Sequence, residues 1–455
     1  MLNKTKSKPI EFAGWLPAYK AFGDCGSHPL FDLGSPPFGY VWTRSIPTDF
    51  KEIALVDVKK KNKLVFKYVY EVLKKLFSNK FIIISFFKLF IVLFKKNVSL
   101  KDSFLFLLSR DPYSQFLLPR DSFIFFPSIP LTFNQNKWFL EIEDTTSMMW
   151  PFLFNGRTSE INIADKSFLI IFRTLVESEN CLGIVTHMKS TATSLPTLLK
   201  NKEVEKKIFY APLGLSQPPD FNFIKSLREK NNKNNTVLLF TNSWHQLEDS
   251  FFLRGGIDVL ESFKELTKKY KNIKLIIRSK IPNISNVYFN KKKVIIDPKI
   301  FNILNDDRVV VHDNFLGKEI FRGLFTDSDI YLLPAARIHV VSTLEAMSYG
   351  LAPIVSDGWG FEEYIEDHVN GIIVKGRHGI TSWMDTNEGF LRENYLPIYS
   401  KNPQIISEIV NSVSELIEDT NLKTTIQLEA LSTIKNKYSP EKWKRNLKNA
   451  FDSSI

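Results

Sequence analysis

The chain has 455 residues, 44% hydrophobic and 24% charged, which is the balance of a globular protein long enough for two domains. Two cysteines, Cys25 and Cys181, exclude a disulfide framework and a cysteine-based zinc site and fit a reducing cytosol. The N-terminal sequence lacks the apolar core of a signal peptide, and the net charge of +11 is unevenly placed.

The first fifty residues, rich in Gly and Pro, read as irregular loops, followed by a strand at "EIALVDV". Between Lys59 and Lys96 stand eleven lysines and one acid, Glu71. Within that region "FIIISFFKLFIVLF", Phe81 to Phe94, has 14 residues and is too short to cross a bilayer, which needs about 20. Two readings stand. One is a buried core helix with a lysine-rich flank; the other is a monotopic face toward an anionic membrane surface through residues 59–96. Nucleic acid is not expected, because these lysines flank aliphatic runs rather than a base-reading motif.

Further along, "SFIFFPSI", "KWFLEIED", "CLGIVTH" and "KIFYAPLG" read as strands. Glu141, Glu143 and Asp144 close one of them, and His187 and Lys189 close another. The adjacent carboxylates Glu143 and Asp144 suit proton transfer; a solvated loop is the competing reading. The polar run Leu227 to Thr236 is no core element, and a domain boundary is expected near Gln217–Asn235.

From Asn235 onward short β-rich runs alternate with amphipathic segments. Strands are predicted at "TVLLFTN", "IKLIIR", "RVVVHD", "DIYLLP", "APIVSD" and "GIIV". Helices are predicted at "GIDVLESFKELTKKY", with Ile257, Leu260, Phe263 and Leu266 on one face, at "GKEIFRGLFTDS", around Glu345 and at "FEEYIEDH". Such alternation means parallel βαβ units, whose ligands collect beyond the carboxyl ends of the strands. In "RIHVVSTLEAMSYG", Ser342 and Glu345 have capping-box spacing, so Glu345 either closes a helix end or holds a ligand.

The stretch "SDIYLLPAARIHVVSTLEAMSYGLAPIVSDGWGFEEYIEDHVNGIIV" carries an aspartate-led strand ending in proline, Glu-Ala-Met-x-x-Gly, a Pro-led strand, Ser-Asp with glycines, and an Asn-Gly turn. In that order these resemble retaining GT-B glycosyltransferases of glycosyltransferase family 4, the glycosyl transferases group 1, from about Lys207 onward. The resemblance implies a GT-B fold of two Rossmann-like domains facing across a cleft. The first, residues 1–216, would be completed by a helix at 438–455; residues 217–437 would bind a nucleotide-sugar. It implies transfer from a nucleoside diphosphate sugar to a glycan or lipid-linked acceptor, with retention and without a metal.

By the same resemblance Glu345 matches the glutamate that binds the ribose, and Arg254 the diphosphate-binding lysine, with Gly255 and Gly256 beside it. The first helical amides, around Val341, Ser342, Thr343 and Leu344, and the turn at Asp357, Gly358 and Gly360 are further candidates. Arg278, Asn242, Ser243 and His245 are other candidates near the phosphates. The sequence departs from the family at Arg337, which occupies the place of the first glutamate of the pair, with His339 nearby. Either Arg337 or His339 serves a variant site, or the loop has lost catalysis and the protein binds without reacting. An epimerase of the same fold is the other alternative. Asp327 and Asp329 are expected to be structural, with no metal.

Overall fold

The computed structural model describes residues 8–12, 40–43, 74, 80–103, 123–127, 130, 132–147, 167–215, 220–232, 235–242, 248–284, 294–314 and 316–454. The strand expected at "EIALVDV" and the lysines between Lys59 and Lys67 lie outside them, as do Ser243 and His245.

Two parallel sheets of six strands form the frame. The first contains β1 (Lys8–Phe12), β2 (Tyr40–Thr43), β3 (Phe123–Pro127), β4 (Trp138–Glu141), β5 (Cys181–Thr186) and β6 (Ile208–Tyr210), in the order β2-β1-β3-β4-β5-β6. β1 and β2 correct the reading of the first fifty residues as loops throughout: their backbones pair in parallel, Lys8 with Tyr40 through Glu11 with Thr43.

Around this sheet lie α1 (Lys80–Lys95), α2 (Ser167–Glu177), α3 (Lys189–Leu199) and the short α4 (Lys202–Glu205). α1 is not a fully buried core helix. Ile82, Leu89 and Leu93 pack with Ile124, Phe126, Trp138 and Leu140, while the opposite face is open.

After α5 (Phe221–Asn232) the second sheet begins with β7 (Thr236–Thr241). The chain continues through α6 (Glu248–Leu253), α7 (Gly256–Lys269), β8 (Ile273–Arg278), β9 (Val309–His312), α8 (Lys318–Thr326), β10 (Ile330–Leu333), α9 (Val340–Ser348), β11 (Ala352–Ser356) and β12 (Ile372–Val374). The order β12-β11-β10-β7-β8-β9 is doubly wound, reversing direction between β7 and β10. Every residue of β10 and β11 is buried, as continuous apolar runs covered by helices on both faces require.

The segment 361–368 corrects the predicted helix: only Phe361–Glu363 makes a 3-10 turn. Asn370 ends it, donating to the Tyr364 carbonyl and accepting from the Glu366 N–H, so side-chain bonds replace a helical ladder. A hairpin follows, β13 (Ser382–Asp385) and β14 (Phe390–Glu393), which the sequence reading missed. The chain closes with α10 (Pro403–Glu418), α11 (Thr420–Lys437) and α12 (Pro440–Ser454). α12 returns to the first sheet, where Phe451 meets Phe139 at 4.5 Å and Phe125 at 6.2 Å.

The two sheets face each other through specific contacts. Glu363 accepts from the Lys189 and Ser190 N–H groups, capping α3 from the opposite half, where no side chain of the local chain does. Tyr364 donates to the His187 carbonyl at 2.6 Å, and Leu391 N–H donates to Thr145 at 2.8 Å.

Candidate active site

The strand order reverses between β7 and β10, the point at whose carboxyl ends such sheets form their ligand crevice. Gly255 fixes one wall. It sits at φ +80°, where a side chain is strained, and an added Cβ would lie 2.3 Å from the Pro334 carbonyl oxygen. The Ala336 N–H also donates to the Leu253 carbonyl at 2.9 Å, so the loops after α6 and β10 are tied together. Gly256 fits under the Phe251 ring, and Gly358 lies against the Ala335 and Ala336 carbonyls. These glycines are fixed by packing of the protein itself.

Arg254 is thereby held half-buried in the crevice. Among the described residues its guanidinium has no hydrogen-bond or ion-pair partner. Burial and the neighbouring Arg337 push its pKa down to about 10, opposed by Glu143, Tyr331 and Tyr395. Such a cation is stabilised by an anion that enters beside it.

A polar chain fixes the other wall. Thr241 and Tyr331 hydroxyls lie 3.0 Å apart, and Tyr331 donates to Ser342 Oγ, also at 3.0 Å. Ser342 in turn lies 2.8 Å from His339 Nδ1. His339 is the N-cap of α9, its Nδ1 accepting from the Ser342 N–H. The capping box read at Ser342 and Glu345 does not form, because the cap lies three residues earlier, at His339, which already holds the Ser342 N–H. Burial, together with Arg254, Arg337 and Arg278, holds the His339 pKa well below its ordinary value, so the imidazole is neutral.

This start also moves the open amides. Ser342 and Thr343 N–H groups bond to His339, and Leu344 is fully buried within the helix. Val340 and Val341 open the helix, and their N–H groups precede the intrahelical ladder. Glu345 lies half-buried in the next turn, where its charge acts on Tyr331 and Tyr349.

Arg337 has a clear occupation. It bridges in parallel to Trp359 and donates to Asp144 Oδ2 at 2.7 Å, across to the first sheet. Glu393 Oε1 from β14 lies 3.4 Å away. Burial opposes its charge, but Asp144 and Glu393 hold the guanidinium well above its usual pKa. Asp144 is buried and also accepts from the Thr146 and Ser147 N–H and hydroxyl groups. Burial raises its pKa, but Arg337 and these bonds outweigh that and hold it below the usual range. With both oxygens engaged, Asp144 is a structural counter-ion and not a proton acceptor, which corrects its pairing with Glu143.

Glu143 is different. Its carbonyl accepts from Thr191 at 2.7 Å, while its carboxylate has no hydrogen-bond partner among the described residues. That carboxylate is half-buried and acts electrostatically on both Arg254 and Arg337.

Other predicted residues fall away from the crevice surface. Arg278, 2% exposed, donates to the Asn242 carbonyl at 2.5 Å and lies over the Phe321 ring, and its charge acts on His339. Asn242 is itself buried. His187 is buried, and Lys189 is the exposed first residue of α3. Asp357 accepts from the Gly376, Arg377 and His378 N–H groups in a turn. Asp329 accepts from Val237 N–H and Asp327 from Asn231, and no group of three or more metal-ligating side chains exists among the described residues. Sequence reasoning missed Glu393 and Tyr395, and also the buried pair of Asp258 and Arg377, whose Nε donates to the Pro334 carbonyl.

Residues 255–390 match the family model described as Glycosyl transferases group 1. A glycosyltransferase from Rickettsia africae has the same fold, with a TM-score of 0.51, 14% identity and 98% of each chain covered. HepE from Anabaena, solved with UDP and glucose, aligns over 73% of this chain and 78% of its own at 13% identity, with a TM-score of 0.49. No curated protein matches the chain in sequence. With a glycosyl transferases group 1 domain set in a GT-B fold, the chain is a glycosyltransferase.

Proposed function

We propose that the protein transfers a sugar from a nucleoside diphosphate sugar to a glycan or lipid-linked acceptor in polysaccharide biosynthesis, with retention, in the cytoplasm. The observation that carries this reading is Arg254, a half-buried cation without a hydrogen-bond or ion-pair partner among the described residues, at the strand-order reversal. A diphosphate suits this position, meeting the guanidinium and the open amides of Val340 and Val341 at the positive end of α9.

In the reaction the anomeric C–O bond to the diphosphate breaks and its electron pair leaves with the nucleotide. Arg254 and the α9 terminus stabilise that charge. The acceptor hydroxyl oxygen forms the new bond, and its proton passes to a base, for which Glu143 is the open carboxylate of the crevice. Glu345 is assigned to the ribose hydroxyls, as an ionised carboxylate accepts both bonds of a vicinal diol. Residues 1–216, with 438–455 returning to them, form the acceptor side, and residues 217–437 the donor side.

Arg337 is built into the fold through Asp144 and Glu393 rather than standing idle on the surface, so the reaction is assigned to Arg254, the α9 terminus and Glu143 without it. The test is a screen of UDP, GDP and ADP sugars by thermal shift, followed by release of nucleotide from whichever sugar stabilises the protein. Stabilisation by none of them, and no nucleotide release, defeats the reading.

A further inference from the structure

The outer face of α1 is an apolar surface set with lysines. Ile84, Phe87, Ile91, Val92 and Phe94 are each 40–63% exposed, although the opposite face of the same helix is core. Ile84, Phe87, Lys88, Ile91 and Lys95 recur at intervals of three and four and therefore share one stripe. The helix "KFIIISFFKLFIVLFK" contains no acidic residue, and Lys80, Lys88 and Lys95 are exposed on it, while Lys96 just beyond its end pairs with Glu177 at 3.4 Å. Leu100, 52% exposed, lies just beyond its end.

We infer that α1 docks the protein on an anionic lipid surface, its axis lying in the plane of the membrane. The exposed aromatic and aliphatic side chains enter the boundary between headgroups and acyl chains, while the lysines meet the anionic headgroups. The helix has 16 residues and spans about 24 Å, and it does not cross the bilayer. No helix among the described residues is long and apolar enough to do so. Charge decides between this occupant and a second copy of the chain: two acid-free, lysine-bearing faces repel each other, whereas anionic lipid complements both the charge and the apolar stripe. The inference does not depend on the reading of the donor site.

Flotation of the full chain with vesicles of phosphatidylcholine mixed with phosphatidylglycerol, against phosphatidylcholine alone, tests it. The protein is expected to float with the mixed vesicles at low salt and to be released as salt rises. Lys88→Ala weakens this binding about fivefold, and Phe87→Ser with Ile91→Ser by roughly tenfold or more. Because these side chains are exposed, the melting temperature of each variant stays that of the parent, which separates lost docking from lost folding. Absence of flotation at low salt overturns the inference, as does binding that ignores lipid charge and both variants. A dimer in light scattering that Phe87→Ser with Ile91→Ser dissociates overturns it as well, in favour of a second copy.

Discussion

Arg337 Nη1 lies 2.7 Å from Asp144 Oδ2, joining residues 193 positions apart across the two sheets. The position at which the sequence resemblance implies an acid here supplies a cation beside two buried acids, Asp144 and Glu393. Restoring the acid is therefore expected to harm the protein. Arg337→Glu leaves three carboxylates together, and Arg337→Ala leaves two without their cation. Each variant loses about 3 kcal/mol or more of stability, the cost of stranding buried charge. The urea midpoint measures this, and an Arg337→Glu protein as stable as the parent contradicts the assigned role.

Glu393 makes part of that stability pH-dependent. Burial raises its pKa from 4.5 to about 7, although Arg337 opposes the shift. Asp144 holds the nearer approach to Arg337, at 2.7 Å against 3.4 Å for Glu393, so burial prevails at Glu393. An acid with a raised folded pKa keeps its proton in the native state while the unfolded chain ionises. Stability from this group is full below about 4.5, falls as pH rises to about 7, and is constant above. Asp144 has the opposite sign, its contribution being lost only in acid as pH falls through its lowered folded value. Glu393→Gln mimics the protonated form and is expected to flatten the profile between pH 4.5 and 7. Denaturation midpoints across that window decide it; an unchanged slope in the variant removes Glu393 as the source.

Arg254 and Arg337 lie close enough to lower one charge through the other, yet their removal has opposite consequences. Arg254 has no protein partner among the described residues, so Arg254→Ala is expected to leave the unliganded melting temperature unchanged or raised. Its nucleotide diphosphate affinity falls by about 10- to 100-fold, the range for charge-assisted bonds. Glu345→Gln is expected to weaken nucleosides carrying a ribose diol more than their 2′-deoxy counterparts. Calorimetric titration with nucleotide reads both, and unchanged affinity in both variants rejects the site.

The second sheet is legible in the sequence because its strands are unbroken β-branched and leucine runs, as "TVLLFT", "IKLIIR" and "IYLL" show. The apolar face of α7 is equally plain from Ile257, Leu260, Phe263 and Leu266. β1 and β2 are not, since five- and four-residue strands show too little periodicity amid Gly and Pro. The hairpin carrying Glu393 had a signal, the Asn387-Glu388-Gly389 turn between short runs, with Gly389 at φ +67°. At the site, Arg254 and Glu345 are visible through neighbouring motif residues. The pairing of Arg337 with Asp144 is not, because only the closed fold brings the two sheets together. The three-residue error at α9 came from preferring serine as a cap, where a histidine made neutral by its surroundings accepts the bond instead.

Removal of divalent metal is expected to leave transfer unchanged. Among the described residues no cluster suits a cation, and Asp327 and Asp329 are engaged by Asn231 and the Val237 N–H. Initial rates with and without EDTA test this, and loss of activity that magnesium or manganese restores refutes it.

Gly255 sets the approach of the two loops that frame the crevice. At φ +80° any other residue is strained by roughly 1 kcal/mol or more, and an added Cβ meets the Pro334 carbonyl at 2.3 Å. Backbone cannot swing away as a flexible side chain can, so the loop after β10 must shift, carrying Arg337 and His339 with it. Gly255→Ala is therefore expected to lower stability by about 2 kcal/mol or more and to weaken nucleotide binding together with it. Gly323 is the control: it lies inside α8 with nothing within 4 Å of an added Cβ, so Gly323→Ala is expected to lower neither. Equal effects of the two substitutions on the urea midpoint contradict the close approach at Pro334.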